Sequence, residues 1–293
     1  MHAGTVAEAA VRGAIAGTGS GLFALALVLT FRTTGTLNLA LGGVASVAAF
    51  VLWGLWADGS TPLGIALVVA LAVSAGLGVA GHTVLRPLER GSAAVRTVGT
   101  LGLLLVLQAA ISLIWGRADR LLPLLVHGAA GTGGLRLGWE QVLAAAVAVA
   151  AGVAVAAWLR LTPSGIAALA AGEDARAARL LGVRPARLGA LVWAIAGALA
   201  GMAGVLLSGL TVTNTTEMTF ALVTSLAAAL VAGFERLGVA VAAAAGVGAL
   251  AAAGASVPAV AKVPGLVDSL GFLVVLALVV ARPRAVADAL GRA

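Results

Sequence analysis

Cysteine is absent from this chain, which excludes disulfides and thiolate metal sites. Lysine occurs once, as Lys262 behind Ala261, so there is no G-x-x-x-x-G-K-[ST] phosphate loop. The three histidines, His2, His82 and His127, are scattered, with no HExxH or other metal-ligand spacing. No serine sits in a nucleophile elbow. Charged residues make up only 10% of the chain, and none lies deep within a long apolar run. An ion-coupled secondary transporter usually needs such a group as relay or counter-ion, although sodium sites built from backbone carbonyls do not. With no catalytic constellation, no metal set and no bound cofactor indicated, the chain reads as a non-enzyme.

What is present is hydrocarbon. Hydrophobic residues make up 61% of the sequence, and the mean hydropathy is +1.12. Apolar runs of about 18 residues or more read as transmembrane helices. The runs are Gly13–Phe31, Thr36–Trp56, Pro62–Leu85, Val98–Trp115, Glu140–Leu159, Leu188–Leu210, Phe220–Ala232, Gly238–Val257 and Leu266–Ala281. The expected fold is an all-α polytopic membrane bundle of about eight or nine segments, one domain over residues 1–293. Phe220–Ala232 is short for a crossing and reads as a half-helix or a tilted piece. Too few basic residues precede the first run for a cleaved signal, so it is kept as a span. A net charge of +7 invites a nucleic-acid reading, but the arginines sit at segment ends rather than on one face, which is membrane topology.

The forty glycines suit helices packed backbone to backbone in lipid. Gly13, Gly17 and Gly21 repeat at four-residue spacing and predict a packing seam, within the chain or against a second subunit. Gly197, Gly201 and Gly204 predict another. Asn38, Thr100 and Gln108 are polar residues inside apolar runs. Each fits either a lining of the solute path or interhelical hydrogen bonding, worth about 0.6–2 kcal/mol. Trp53, Trp56, Trp115 and Trp139 flank spans, as an interfacial belt does. Arg117, Asp119 and Arg120 are either a contact for an external protein or solvated loop charge.

Thr162–Gly182 is the longest polar interruption. Thr162 caps a helix beginning at Pro163, and Gly182 followed by Pro185 marks its stop. The expectation is one short charged helix outside the bilayer, carrying Glu173, Asp174, Arg176 and Arg179. If all nine runs cross and the C-terminal tail is cytoplasmic, thirteen of the eighteen basic residues fall inside. The stretch 162–187 then lies in the cytoplasm.

Four segments in order resemble the permease subunits, H-type half, of bacterial ABC importers for branched-chain amino acids. Gly35-Thr36-Leu37-Asn38-Leu39-Ala40-Leu41-Gly42 is similar to that family's G-x-x-N-[FL]-A-H-G. Arg86-Pro87-Leu88, Thr100-Leu101-Gly102 and Leu107-Gln108 follow its pattern after the third span. Glu173-Asp174, Ala178 and Leu180-Leu181-Gly182-Val183 resemble its A-E-D-x3-A-x-L-L-G-[IV] loop. Ala198–Leu207 is similar to its glycine-rich next span. Two departures stand out: Leu41 replaces a usual histidine, and Phe234-Glu235-Arg236-Leu237 replaces a small G-x-G-S turn.

The resemblance implies a bacterial cell-membrane machine of several chains. A second permease, two cytoplasmic ATPase subunits binding ATP-Mg and an extracytoplasmic solute-binding protein would complete it. Glu173, Asp174, Arg179, Leu181 and Gly182 would then form the coupling contact to an ATPase. The other readings are a secondary transporter or channel for a small solute such as urea or a short amide, and a non-transporting scaffold.

Overall fold

The computed structural model describes residues 3–116, 118–130, 137–210, 214 and 217–257, with Leu273 and Ala277. Among these, six helices are long and apolar enough to cross a membrane: α1 (Ala3–Thr34), α3 (Leu63–Leu85), α4 (Ala93–Ile114), α5 (Trp139–Leu161), α8 (Pro185–Ser208) and α10 (Leu237–Ala255). Two shorter apolar helices accompany them, α2 (Leu41–Leu52), continued by a π-helical turn Trp53–Ala57, and α9 (Glu217–Val231). Between α5 and α8 lie α6 (Pro163–Glu173) and α7 (Ala175–Leu180). A two-residue pair, β1 (Ala129–Ala130) with β2 (Leu137–Gly138), is antiparallel with Ala129 opposite Gly138. The protein is an all-α polytopic membrane protein. The run Leu266–Ala281 lies outside the described residues except for Leu273 and Ala277.

The bundle is built around α1, which packs against α5, α8, α9 and α10; its stretch Leu22–Leu29 is wholly enclosed. The second inner helix is α8, against α1, α2 and α3. The outer helices show their apolar side chains to the surroundings, as with Val68, Leu105, Leu113 and Val153. Such faces suit lipid, where hydrocarbon gives no preference for the interior and close packing must hold the helices together.

Glycine makes that close packing possible. A side chain at Gly13 would run into Ala252 and Gly248, and one at Gly17 into Ala244 and Gly248, so this seam lies against α10 of the same chain. Gly21 continues it beside Val241. On α8, Gly197 and Gly201 sit against Ser74 of α3, and Gly204 against Ala45 of α2.

Two expected helices are interrupted. The run Thr36–Trp56 becomes helical only at Leu41. Thr30, Thr33 and Thr34 each donate a hydroxyl to a carbonyl one turn back, a bond that loosens a helix. Gly35 then takes a left-handed φ of 61° and ends α1, its N–H reaching Phe31 O at 2.8 Å. Residues 36–40 rise without helical bonding, so α2 is a partial span. The charged helix is likewise two helices. Asp174 stops α6 in extended backbone (φ −148°, ψ 97°) and starts α7, its Oδ1 accepting from Arg176 N at 2.7 Å and Ala177 N at 2.9 Å. An N-cap side chain competes with helix continuation wherever it appears.

Candidate functional site

One end of the bundle collects the C-terminal ends of α1, α3, α5 and α9, the starts of α4, α8 and α10, and the α6–α7 pair. It carries most of the described arginines. Here a cavity of about 1190 Å³ opens between the spans and α6–α7. Its walls come from Thr33–Thr36 at the end of α1 and just beyond, His82, Thr83, Leu85, Arg86 and Pro87 at the end of α3, Arg96 of α4, the α6–α7 residues Gly172, Glu173, Ala175 and Arg179, and the first turns of α8 as far as Trp193. Arg96 also donates from Nη1 to Thr34 O at 3.2 Å, a cation on the carbonyl end of α1, where the helix dipole favours it. His82 is buried, its Nε2 lies 3.1 Å from Ala186 O, and Gly189 leaves the room its ring occupies. In the sequence Arg86 belongs to the segment Arg86-Pro87-Leu88 that resembles the permease pattern, while Arg96 and His82 stand out only as topology and scatter; the fold brings the three to one space.

The expected path residues fall elsewhere. Thr100 is fully buried, donates to Leu37 O at 3.0 Å and accepts from Leu39 N at 3.2 Å. It therefore holds the unwound segment on both sides of Asn38. Asn38 itself turns inward on its own chain, its Oδ1 accepting from Ala40 N at 3.2 Å. Gln108, two turns further along α4, donates to Thr219 Oγ1 of α9 at 3.0 Å. None of the three borders the cavity.

Glu173, Asp174, Arg179, Leu181 and Gly182, the residues expected to couple, share one exposed unit. Asp174 is engaged by the α7 backbone, and those N–H bonds from Ala177 and Arg176, with Arg179 adding attraction, hold its carboxyl below the usual carboxylate range. Gly182, with φ 83°, closes α7, and Val183 N reaches back to Ala178 O at 3.1 Å. That closure leaves Leu180 and Leu181 projecting, 86% and 83% exposed, while Ala178 is buried beneath them.

The opposite end is tied. Arg120 lies 4.3 Å from the Trp53 ring centroid and donates to Trp115 O at 3.2 Å. Asn214 Nδ2 donates to Asp119 Oδ1 at 3.3 Å. Glu140, in the first turn of α5 and 1% exposed, accepts from Val126 N at 2.9 Å through Oε2. Its Oε1 is buried against Gly209 without a hydrogen-bond partner among the described residues. Reading Glu140 as the mere start of a span missed this role, and nothing in the local sequence signals it.

At the turn after α9, the departure Phe234-Glu235-Arg236-Leu237 acquires a reason. Gly233 and Phe234 both have left-handed φ, 61° and 55°. Phe234 is the lone non-glycine residue in that region among those described, a conformation that costs about 1–2 kcal/mol. Its ring is buried against Phe31 at 4.5 Å between centroids, and Arg32 donates to Glu235 O at 3.0 Å.

A family model described as "branched-chain amino acid transport system / permease component" matches residues 9–281. No curated protein and no solved structure gave a significant match. Permease components of such systems work with other transporter components and are generally non-catalytic. The match runs through every described span, and on it the chain belongs to the branched-chain amino acid transport permease family, as a multi-pass membrane permease.

Proposed function

We propose that this chain is the H-type permease subunit of an ATP-driven importer for branched-chain amino acids or a similar small polar solute. The coupling contact is the α6–α7 unit, residues 162–182, which faces the cytoplasm along with the C-terminal tail. ATP-Mg binds and is hydrolysed in two separate ATPase subunits. A second permease and an extracytoplasmic binding protein complete the assembly in the bacterial cell membrane.

The observation that carries this reading is the exposed Leu180–Leu181 pair at the tip of a capped, charged helical unit. Adjacent large apolar side chains left in the aqueous phase need a partner surface. The unit also forms a wall of the cavity, so a push on Leu181 reaches the ends of α1 and α8. The sequence carries no phosphate loop of its own, so the energy has to arrive through such a contact.

Leu181→Asp would bury an unpaired carboxylate in the ATPase contact, a penalty of about 3–5 kcal/mol. The expected result is loss of ATPase co-purification and of solute uptake with normal membrane insertion. Arg176→Gln should change neither. If Leu181→Asp assembles and transports like the parent, α6–α7 is a topological loop and the coupling role lies elsewhere.

A further inference from the structure

The 1190 Å³ cavity is larger than most small-molecule pockets, which run about 300–1,000 Å³, and its lining is divided by chemistry. Arg86, Arg96 and Arg179 border it with one carboxylate, Glu173, which leaves an excess of positive charge. These four come from four separate elements, the 3₁₀ turn after α3, then α4, α7 and α6, so the fold gathers them from up to 93 residues apart. Further along α8, Leu188, Val192 and Trp193 supply an apolar wall. The hydroxyls of Thr33 and Thr34, also in the lining, give their protons to Leu29 O and Thr30 O. Towards the cavity they act as acceptors.

We infer that this cavity binds a small zwitterionic solute with an apolar side chain, entering from the α6–α7 side. Arg86 takes the carboxylate, since guanidinium offers paired donors to both oxygens, and Arg96, already bonded to Thr34 O, adds positive charge beside it. Glu173 and the threonine oxygens take the ammonium, and the apolar side chain lies along Leu188, Val192 and Trp193. The inference rests on the permease reading for its class of solute, but places a second role on the same chain. Because Glu173 and Arg179 belong to the coupling unit, an occupied cavity holds α6–α7 against the spans. Solute accumulated on this side would thereby restrain the movement that drives further import.

The test uses the purified full chain in lipid nanodiscs without ATPase, titrated calorimetrically with leucine and with leucinamide, which lacks the carboxylate. Leucine should bind and leucinamide should not. Arg86→Gln should weaken leucine binding about tenfold, the loss of one charge-assisted contact. Val192→Trp, which fills the apolar wall and removes no charge, should abolish it. Arg176→Gln, outside the lining, is the control and should bind as the parent does. Equal binding of leucinamide, or unchanged leucine binding in both lining variants, overturns the inference. So does a cavity occupied by co-purified anionic lipid, identified by native mass spectrometry, that leucine cannot displace. Failure here with the Leu181→Asp phenotype intact leaves the permease reading standing. Binding as described, with Leu181→Asp transporting normally, removes the coupling assignment and keeps the site.

Discussion

Arginine serves opposite purposes at the two ends of the bundle. At one end Arg86, Arg96 and Arg179 border a cavity of about 1190 Å³. At the other, Arg120 is spent on a tie, over the Trp53 ring and bonded to Trp115 O. Beside it, Asp119 holds Asn214 and Glu140 holds Val126. Three polar contacts thus fasten the loop after α4 to α2, to the link before α9 and to α5. The difference teaches that charge count alone does not tell a binding surface from a clamp. What decides is where packing places the guanidinium: Arg120 lies over an aromatic plane and on a backbone carbonyl, whereas Arg96, although it too bonds a carbonyl, Thr34 O, borders the cavity.

The largest expected effect breaks the arginine-rich end. Phe234→Ala removes a buried ring packed on Phe31 and should destabilise the protein by about 3 kcal/mol or more. Phe234→Gly removes still more side chain yet relieves the left-handed backbone, recovering about 1–2 kcal/mol. The order of thermal stability should therefore be parent, then Phe234→Gly, then Phe234→Ala. Alanine above glycine would show that the backbone at 234 carries no strain.

A smaller effect sharpens the comparison at the tied end. Glu140→Ala leaves the Val126 N–H without its acceptor, a loss of about 1–3 kcal/mol, and should increase proteolysis within the loop that contains residues 118–128. Glu140→Gln keeps a carbonyl for Val126 and should protect most of that loop. Cleavage in α6–α7 should be unchanged in both. Equal loosening of the two ends would mean that Glu140 holds the whole bundle rather than one loop.

How far the sequence could be read follows from which interactions are local. Six long spans and the glycine repeats are legible because composition and spacing within one helix suffice, as Gly13, Gly17 and Gly21 illustrate. The end of α1 at Gly35 is local, but the late start of α2 at Leu41 is not legible, because residues 37–39 are held by Thr100, sixty-two positions beyond Asn38. Asp174 carried its signal in plain view: an aspartate just before Ala175-Arg176-Ala177 is an N-cap as well as a charge. Read as charge alone, it continues a helix that in the structure it stops. The cavity was illegible for a different reason. Arg86 and Arg179 are marked in the sequence only by their resemblance segments and Arg96 only as a positive-inside arginine; nothing there says that the three share one space, which packing decides.

The smallest effect concerns that cap and isolates the open end by pH. The N–H groups of Ala177 and Arg176 hold the Asp174 carboxyl below its ordinary value. A carboxylate with a depressed folded pKa stabilises above the unfolded pKa, and that contribution is lost as pH falls through the folded value. So α7 should be ordered at neutral pH and fray in acid, at and below the usual carboxylate range of about 4. Amide exchange at Arg176 and Ala177, corrected for the intrinsic pH dependence of exchange, reads this directly. Asp174→Ala should lack the extra protection at every pH. Asp174→Asn caps nearly as well but does not titrate, so its protection should stay level through the acid range. The ties of Arg120 to Trp53 and Trp115 contain no carboxylate and should not follow the same curve. If Asp174→Asn loses protection in acid as the parent does, another group is titrating, and the acid sensitivity of α7 does not come from its cap.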